Sequence, residues 1–140
     1  MEVLKDFKIK AVFNVAWKDM DAMNHVNNAV YLTYFENARI AYYDAIGLGH
    51  RMNDKAFLGI VKSINCEYLL PISYPDELEV GAKVTELTVF GFTLEHYIFS
   101  KTKGICACGE TEVTVVDVLS LKPTKMPSNM IDKIKVLDNL

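Results

Sequence analysis

The sequence predicts an α+β fold in which one long central helix is wrapped by a curved antiparallel β-sheet. Two observations support this prediction: segment 28–47 has apolar residues on nearly every side of a helix, and most of the remaining chain is strand-like. One small flat sheet cannot cover such a helix, whereas a strongly curved sheet can. The 140 residues are enough for one domain, so we expect 1–140 to form a single unit.

The first strand is predicted in the segment "DFKIKAVFNVAW", residues 6–17. Apolar residues alternate there with Lys8, Lys10 and Asn14, which is typical of a half-buried strand. The apolar face should contain Phe7, Ile9, Ala11, Phe13, Val15 and Trp17. An edge of the sheet formed in this way needs a partner, which a second subunit could supply.

The long helix is predicted over residues 28–46, and Gly47 is a suitable residue to end it. Its one consistently polar stripe is narrow and consists of Thr33, Glu36, Asn37 and Asp44. Arg39 follows Glu36 by three residues, so the two side chains can form an ion pair on one face of the helix.

Four further strands and a short helix are predicted after a loop at "LGHRMNDK". The strand at "LEVGAKVTELTV" changes phase near Glu86, which indicates a β-bulge. "TKG" and "CGE" are turn or bulge signals in the last two strands, and Ser128 is expected to be the N-cap of the terminal helix. His96, in the middle of a strand, is expected to be structural, and His50 is expected to be exposed in the loop.

Charge and composition exclude several classes of partner. The net charge is −3, so there is no broad attraction to nucleic acid or to an anionic membrane. No apolar run approaches the ~18 residues of a membrane span, and the first ten residues lack the apolar core of a secretory signal. The three cysteines form no disulfide framework, which favours a reducing compartment. We therefore expect a cytoplasmic protein without nucleic-acid or membrane partners.

Short polar residues are concentrated immediately before the long helix, in "KDMDAMNHVNNAVY", residues 18–31. The amino end of a helix presents free N–H groups and partial positive charge, which suit an anion or a developing oxyanion. Asp21, His25 and nearby asparagine amides are the groups that hydrolysis of an acyl bond requires. The alternative is that these residues are ordinary turn and cap residues, as we expect of Asp19. The spacing alone leaves both interpretations open.

The segment "WKDMDAMNHVNNAVYLTYFENARI" resembles the signature W-x-D-x-D-x-x-G-H-V-N-N-x-x-Y-x-x-Y-F-E-x-A-R of hot-dog-fold acyl-CoA thioesterases of the 4-hydroxybenzoyl-CoA thioesterase type. The matching positions are Trp17, Asp19, Asp21, His25, Val26, Asn27, Asn28, Tyr31, Tyr34, Phe35, Glu36, Ala38 and Arg39. The segment is also similar to the D-x-N-x-H-V-N-N stretch of plant acyl-ACP thioesterases.

This resemblance implies a hot-dog fold and hydrolysis of an acyl thioester, acyl-CoA first, to the free acid and CoA. Asp21 would be the nucleophile or general base, and His25 would be the second catalytic residue. Asn24, Asn28 and Tyr31 would bind substrate, and the start of the helix would polarise the thioester carbonyl. The resemblance also implies a homodimer or homotetramer with sheets joined edge to edge and active sites at the subunit boundary. It implies no metal or other cofactor.

Two positions depart from these signatures. Asn24 replaces the usual glycine, and Met23 stands where the plant enzymes have asparagine. Asn24 could donate to the substrate carbonyl, or it could hold the turn because asparagine tolerates a left-handed backbone. An acyl-ACP thioesterase and a non-catalytic acyl-CoA-binding protein remain alternatives. Ser63 and Asn65 are weaker candidates for substrate contact, and the sequence does not identify the acyl group or the residues that hold the CoA phosphates.

Overall fold

A computed structural model describes residues 2–49 and 57–140, and His50 lies outside these ranges. The elements are helix α1 (Glu2–Lys5), strand β1 (Ile9–Asn14), a 3-10 turn (Trp17–Asp19), helix α2 (Val30–Ile46), strands β2 (Phe57–Ile64), β3 (Glu67–Tyr68), β4 (Glu77–Thr88), β5 (Gly91–Ser100) and β6 (Gly104–Asp117), and helix α3 (Ser128–Asp138).

The strands form one antiparallel sheet in the order β1-β4-β5-β6-β2, and β3 pairs with β6 beside β2. Helix α2 packs against β1, β4 and β5, and the sheet curls around it. The fold class predicted from the sequence is therefore confirmed. In the described part of the chain, no helix is both long and apolar enough to cross a membrane.

Helix α2 begins two residues later than predicted, because Asn27 caps the chain ahead of it. The Asn27 side-chain oxygen accepts the Ala29 N–H at 2.9 Å, and its backbone oxygen accepts the Val30 N–H at 2.9 Å. The helix ends as predicted at Ile46, followed by Gly47 with a left-handed φ of 78°. The start of α2 is thus formed by the same polar segment that carries the candidate site.

The two faces of α2 follow the predicted pattern. The polar stripe is exposed, and the Arg39 Nη2 atom lies 3.5 Å from Glu36 Oε2. The opposite sides bury Tyr31, Tyr34, Phe35, Ala38, Tyr42 and Ile46 in the core. Helix α3 closes one end of this core, where the Asp138 carboxylate accepts the Tyr42 hydroxyl at 2.5 Å and the Val84 N–H at 2.8 Å. Val84 stands at the bulge predicted near Glu86.

Two of the sequence predictions near the ends of elements are wrong. Trp17 does not extend the buried face of β1: the chain leaves the strand after Asn14, and the indole is 70% exposed with its ring 5.7 Å from that of Tyr74. Ser128 is not the N-cap of α3 but its first residue. Pro127 precedes it, and the Pro127 carbonyl accepts the Met130 and Ile131 N–H groups, both at 3.1 Å.

The strand pattern after α2 also differs from the prediction in two places. The predicted strand before Pro71 is divided into β2 and β3, so five strands follow the helix rather than four. "CGE", predicted to be a turn or a bulge, is neither, because β6 continues through it with unchanged register against its neighbours. A Cβ on Gly109 would lie 2.1 Å from the Asn65 carbonyl oxygen, so glycine is needed there for close approach of two chains.

Candidate functional site

The polar segment before α2 forms a tight turn that positions Asp21. The Asp21 N–H donates to the His25 carbonyl at 2.8 Å, and the Asn24 N–H donates to the Asp21 carbonyl at 3.0 Å. The Asp21 side chain accepts the Met23 N–H at 2.8 Å, an Asx turn that fixes the carboxylate. Because Asp21 and His25 are both exposed, this turn presents a carboxylate and an imidazole at the surface.

Asn24 has a left-handed backbone, with a φ of 65°. Glycine adopts this conformation without strain, and asparagine tolerates it better than most other residues. The substitution of asparagine for the usual glycine is therefore compatible with an unchanged turn. The Asn24 carbonyl also accepts the Ser73 hydroxyl at 3.3 Å, which ties the turn to the segment after β3.

The conformational role of Asn24 leads to a stability prediction. Asn24→Gly is expected to change the free energy of unfolding by less than about 0.5 kcal/mol, whereas Asn24→Val should lower it by about 1–2 kcal/mol, because a β-branched residue is strained at this φ. Urea unfolding measures both values. Ala22→Val, in the same exposed turn, controls for adding a valine, and an Asn24→Val protein as stable as this control would contradict the prediction.

Backbone amides at the start of α2 provide a second functional element. Four of them already have acceptors: those of Val26, Asn27, Ala29 and Val30. Within the described residues, the Asn28 N–H has no acceptor. It lies at the amino end of a helix of 17 residues, where the partial positive charge favours an anion or a developing oxyanion.

A cleft of about 310 Å³ adjoins this turn. It is lined by His25, Val26, Asn28, Tyr31, Tyr68, Leu69, Leu70 and Pro71. Three of the predicted site residues, His25, Asn28 and Tyr31, therefore share one cleft. Asp21 and Asn24 lie in the turn that leads into it and do not line it.

The cleft has an aromatic floor and an aromatic outer wall. Tyr31, 3% exposed, forms the floor, and its hydroxyl accepts the Ile72 N–H at 3.2 Å. Burial raises the pKa of the Tyr31 phenol, which therefore stays neutral near neutral pH. Tyr68 is the wall: its ring lies 4.8 Å from that of Tyr31, and its hydroxyl donates to the Asn28 carbonyl at 2.8 Å. Sequence reasoning missed Tyr68, whose only signal was the unalternating apolar run "YLLP".

Several polar residues near the site have structural roles. Asp19 accepts the Tyr34 hydroxyl at 2.9 Å, and its carbonyl accepts the Asn27 N–H at 2.9 Å, in agreement with the turn role expected of it. His96 is fully buried and stacks on Phe35 with the ring centroids 4.9 Å apart, which confirms the prediction that it is structural. In the described residues, no cluster of His, Cys, Asp and Glu side chains is arranged to hold a metal ion.

The two weaker candidates, Ser63 and Asn65, lie away from the cleft. Ser63 is exposed on β2, at the edge of the sheet, where the register shifts after Val61. The Asn65 side chain accepts the Glu110 N–H at 3.2 Å and so helps to hold the chain beside β6. Neither residue lines the cleft of this protomer.

A long helix in a curled antiparallel sheet, with a fixed carboxylate and a mainly apolar cleft at its amino end, defines a hot-dog protein with a candidate acyl-group site. Residues 15–134 match the family profile of the thioesterase-like superfamily. The chain belongs to this family.

Individual relatives agree with this assignment. The acyl-CoA thioester hydrolase YbgC of Escherichia coli O157:H7 is 24% identical over 126 residues, which cover 86% of this chain and 91% of YbgC. A Thermus thermophilus thioesterase, whose structure was solved with coenzyme A and zinc, is 26% identical with a TM-score of 0.82, covering 97% of this chain and 98% of that one. A thioesterase-superfamily structure from Jannaschia sp. CCS1 has a TM-score of 0.88 at 17% identity, covering 99% and 92%, and this likeness supports the fold alone.

Proposed function

We propose that the protein hydrolyses acyl thioesters, with acyl-CoA as the preferred substrate, to the free acid and the thiol. One observation carries the proposal: the exposed and fixed carboxylate of Asp21 is in the same short segment as the unbonded Asn28 amide and the cleft. A carboxylate beside an oxyanion donor is what attack on a thioester carbonyl needs. The names of the YbgC and Thermus relatives support the choice of thioester and of CoA.

In the proposed reaction, Asp21 either removes a proton from water, which attacks the carbonyl carbon, or attacks that carbon itself. The Asn28 N–H, at the positive end of α2, stabilises the oxyanion. The carbon–sulfur bond then breaks, and the thiolate leaves with a proton. If Asp21 was the nucleophile, water hydrolyses the acyl anhydride in a second step.

His25 and the cleft complete the proposed site. His25 lines the cleft and faces solvent, so it can orient the substrate or supply the proton that the thiolate takes. Asn28 and Tyr31 contact the acyl group, and Asn24 holds the turn that presents Asp21. The apolar lining can bury the acyl group away from water, which favours binding.

A homodimer or homotetramer is part of this proposal. Strand β2 is an edge of the sheet, and its Ile60 and Val61 are exposed. Among the described strands, β2 pairs with β6 alone, so its other edge is available to pair with a strand of a second copy. Edge-to-edge pairing of β2 with a second copy would cover these residues and bring a partner's strand towards the site.

The proposal is tested by thiol release from one acyl group on two carriers, CoA and acyl carrier protein. We expect release from acyl-CoA with a kcat/KM at least about tenfold above that for acyl-ACP, because a net charge of −3 gives no overall attraction to an acidic carrier protein. A higher kcat/KM for acyl-ACP than for acyl-CoA would show that acyl carrier protein is the preferred carrier. Saturable binding of acyl-CoA without thiol release would favour a non-catalytic binding protein and overturn the proposal.

A further inference from the structure

Two segments of the chain form the cleft, and hydrogen bonds join them at both ends. At the inner end, the Val26 N–H donates to the Ile72 carbonyl at 2.8 Å, and the Ile72 N–H donates to the Tyr31 hydroxyl at 3.2 Å. At the outer end, the Tyr68 hydroxyl donates to the Asn28 carbonyl at 2.8 Å. The outer end is therefore joined by the Tyr68 side chain alone, while the inner end is joined by a backbone–backbone bond as well as by the Tyr31 hydroxyl.

The backbone under Tyr68 is fixed, so the ring itself determines how far the cleft extends. Tyr68 pairs with Ala107 of β6. The next two amides, of Leu69 and Leu70, both donate to the Cys106 carbonyl, at 2.8 Å and 3.1 Å. The Tyr68 side chain is 48% exposed, and its ring makes a T-shaped contact with that of Tyr31, as an outer wall would.

The position of Tyr68 at the outer end of the cleft bears on the length of the group that can bind. A hexanoyl chain or a single aromatic ring is compact enough to lie between Tyr31 and Tyr68, whereas a palmitoyl chain would have to extend past the Tyr68 ring. The lining is mainly aliphatic and aromatic, which suits such compact apolar groups.

We propose that Tyr68 is a specificity-determining residue that limits the acyl group, so that the protein takes compact acyl groups, of medium chain length or with one aromatic ring, in preference to long chains. This inference rests on the proposed acyl-thioester site. Hydrophobicity alone predicts the opposite preference. Each buried methylene adds about 0.8 kcal/mol of binding free energy, so a groove without a wall would bind the longest chain most tightly.

The test measures binding of non-hydrolysable thioether analogues of hexanoyl-CoA, benzoyl-CoA and palmitoyl-CoA by calorimetry. The wild-type protein should bind the two compact analogues at least about tenfold more tightly than the palmitoyl analogue. Tyr68→Ala and Tyr68→Val, which both open the outer wall, should remove this preference. Tyr97→Ala should keep it, since Tyr97 lies against Phe7 and does not line the cleft.

Two results would overturn the inference: tighter binding of the palmitoyl analogue by the wild-type protein, or an unchanged ratio in both Tyr68 variants. Absence of binding by all three analogues would also overturn it. Because thioethers are not hydrolysed, the outcome is separate from that of the reaction. If the analogues bind with the expected affinity ratios but no acyl-CoA releases thiol, the role of Tyr68 is supported and hydrolysis is refuted. If acyl-CoA is hydrolysed but the affinity ratios differ from those expected, only the role of Tyr68 is refuted.

Discussion

Asp21→Asn is expected to lower kcat for acyl-CoA hydrolysis by about a hundredfold to ten-thousandfold while leaving the fold and the oligomer unchanged. The asparagine side-chain oxygen can still accept the Met23 N–H, so the turn should persist. The amide can neither take a proton from water nor attack a carbonyl as a carboxylate does. Thiol release at saturating acyl-CoA measures kcat, and thermal unfolding with size-exclusion chromatography checks the fold and the assembly.

Asp19→Asn is the matched control, because Asp19 stands two residues earlier and bonds to the Tyr34 hydroxyl. Burial, together with the adjacent Asp19 carboxylate, raises the pKa of Tyr34, so the phenol keeps its proton and donates it to Asp19. An amide at position 19 weakens this bond, so Asp19→Asn should lower the melting temperature and keep kcat within about tenfold of the wild type. Full turnover by Asp21→Asn would refute the role of Asp21. Loss of turnover in Asp19→Asn without loss of stability would assign the catalytic role to Asp19 instead of Asp21.

The features that the sequence predicts correctly are those that depend on local pattern. The long helix, its end at Gly47 and the bulge near Glu86 follow from periodicity and from the conformational freedom of glycine. The spacing of Asp21 and His25 places both in one short turn, and Asn28 follows three residues later, just before α2. Local pattern also gives the two possible roles of Asn24, but only the backbone φ of 65° shows that the left-handed conformation is present.

The features that it does not predict depend on contacts between distant parts of the chain. Tyr68 enters the cleft because β3 pairs with β6 and carries the ring to Asn28, 40 residues earlier in the sequence. Trp17 continues the alternation of β1, but it lies outside the strand and its ring contacts that of Tyr74, 57 residues later in the sequence. Gly109 resembles a turn residue and is instead required by the approach of Asn65. In each case tertiary packing overrides the local pattern.

Acid is expected to destabilise the protein through His96. The pKa of His96 is lowered from 6.5 to about 4, chiefly by burial; the bond to the Gly81 carbonyl opposes this shift and the nearby Arg39 charge adds to it. The His96 Nδ1 atom lies 3.1 Å from the Gly81 carbonyl, which can only accept, so Nδ1 carries the proton and Nε2 accepts from the Thr111 hydroxyl at 3.1 Å. The neutral ring is thus the form that the core stabilises.

The sign of the pH effect follows from this depressed pKa. Above about pH 6.5 His96 is neutral in both the folded and the unfolded states, and its contribution is complete. As the pH falls from 6.5 towards 4, the unfolded chain binds a proton that the folded protein does not, which costs about 3 kcal/mol of stability by pH 4. Urea unfolding across this pH range should show that the free energy of unfolding falls by about 3 kcal/mol more in the wild-type protein than in His96→Gln. Glutamine keeps a side-chain donor but does not titrate. Other titrating groups are common to both proteins, so parallel pH curves would show that His96 is not the cause.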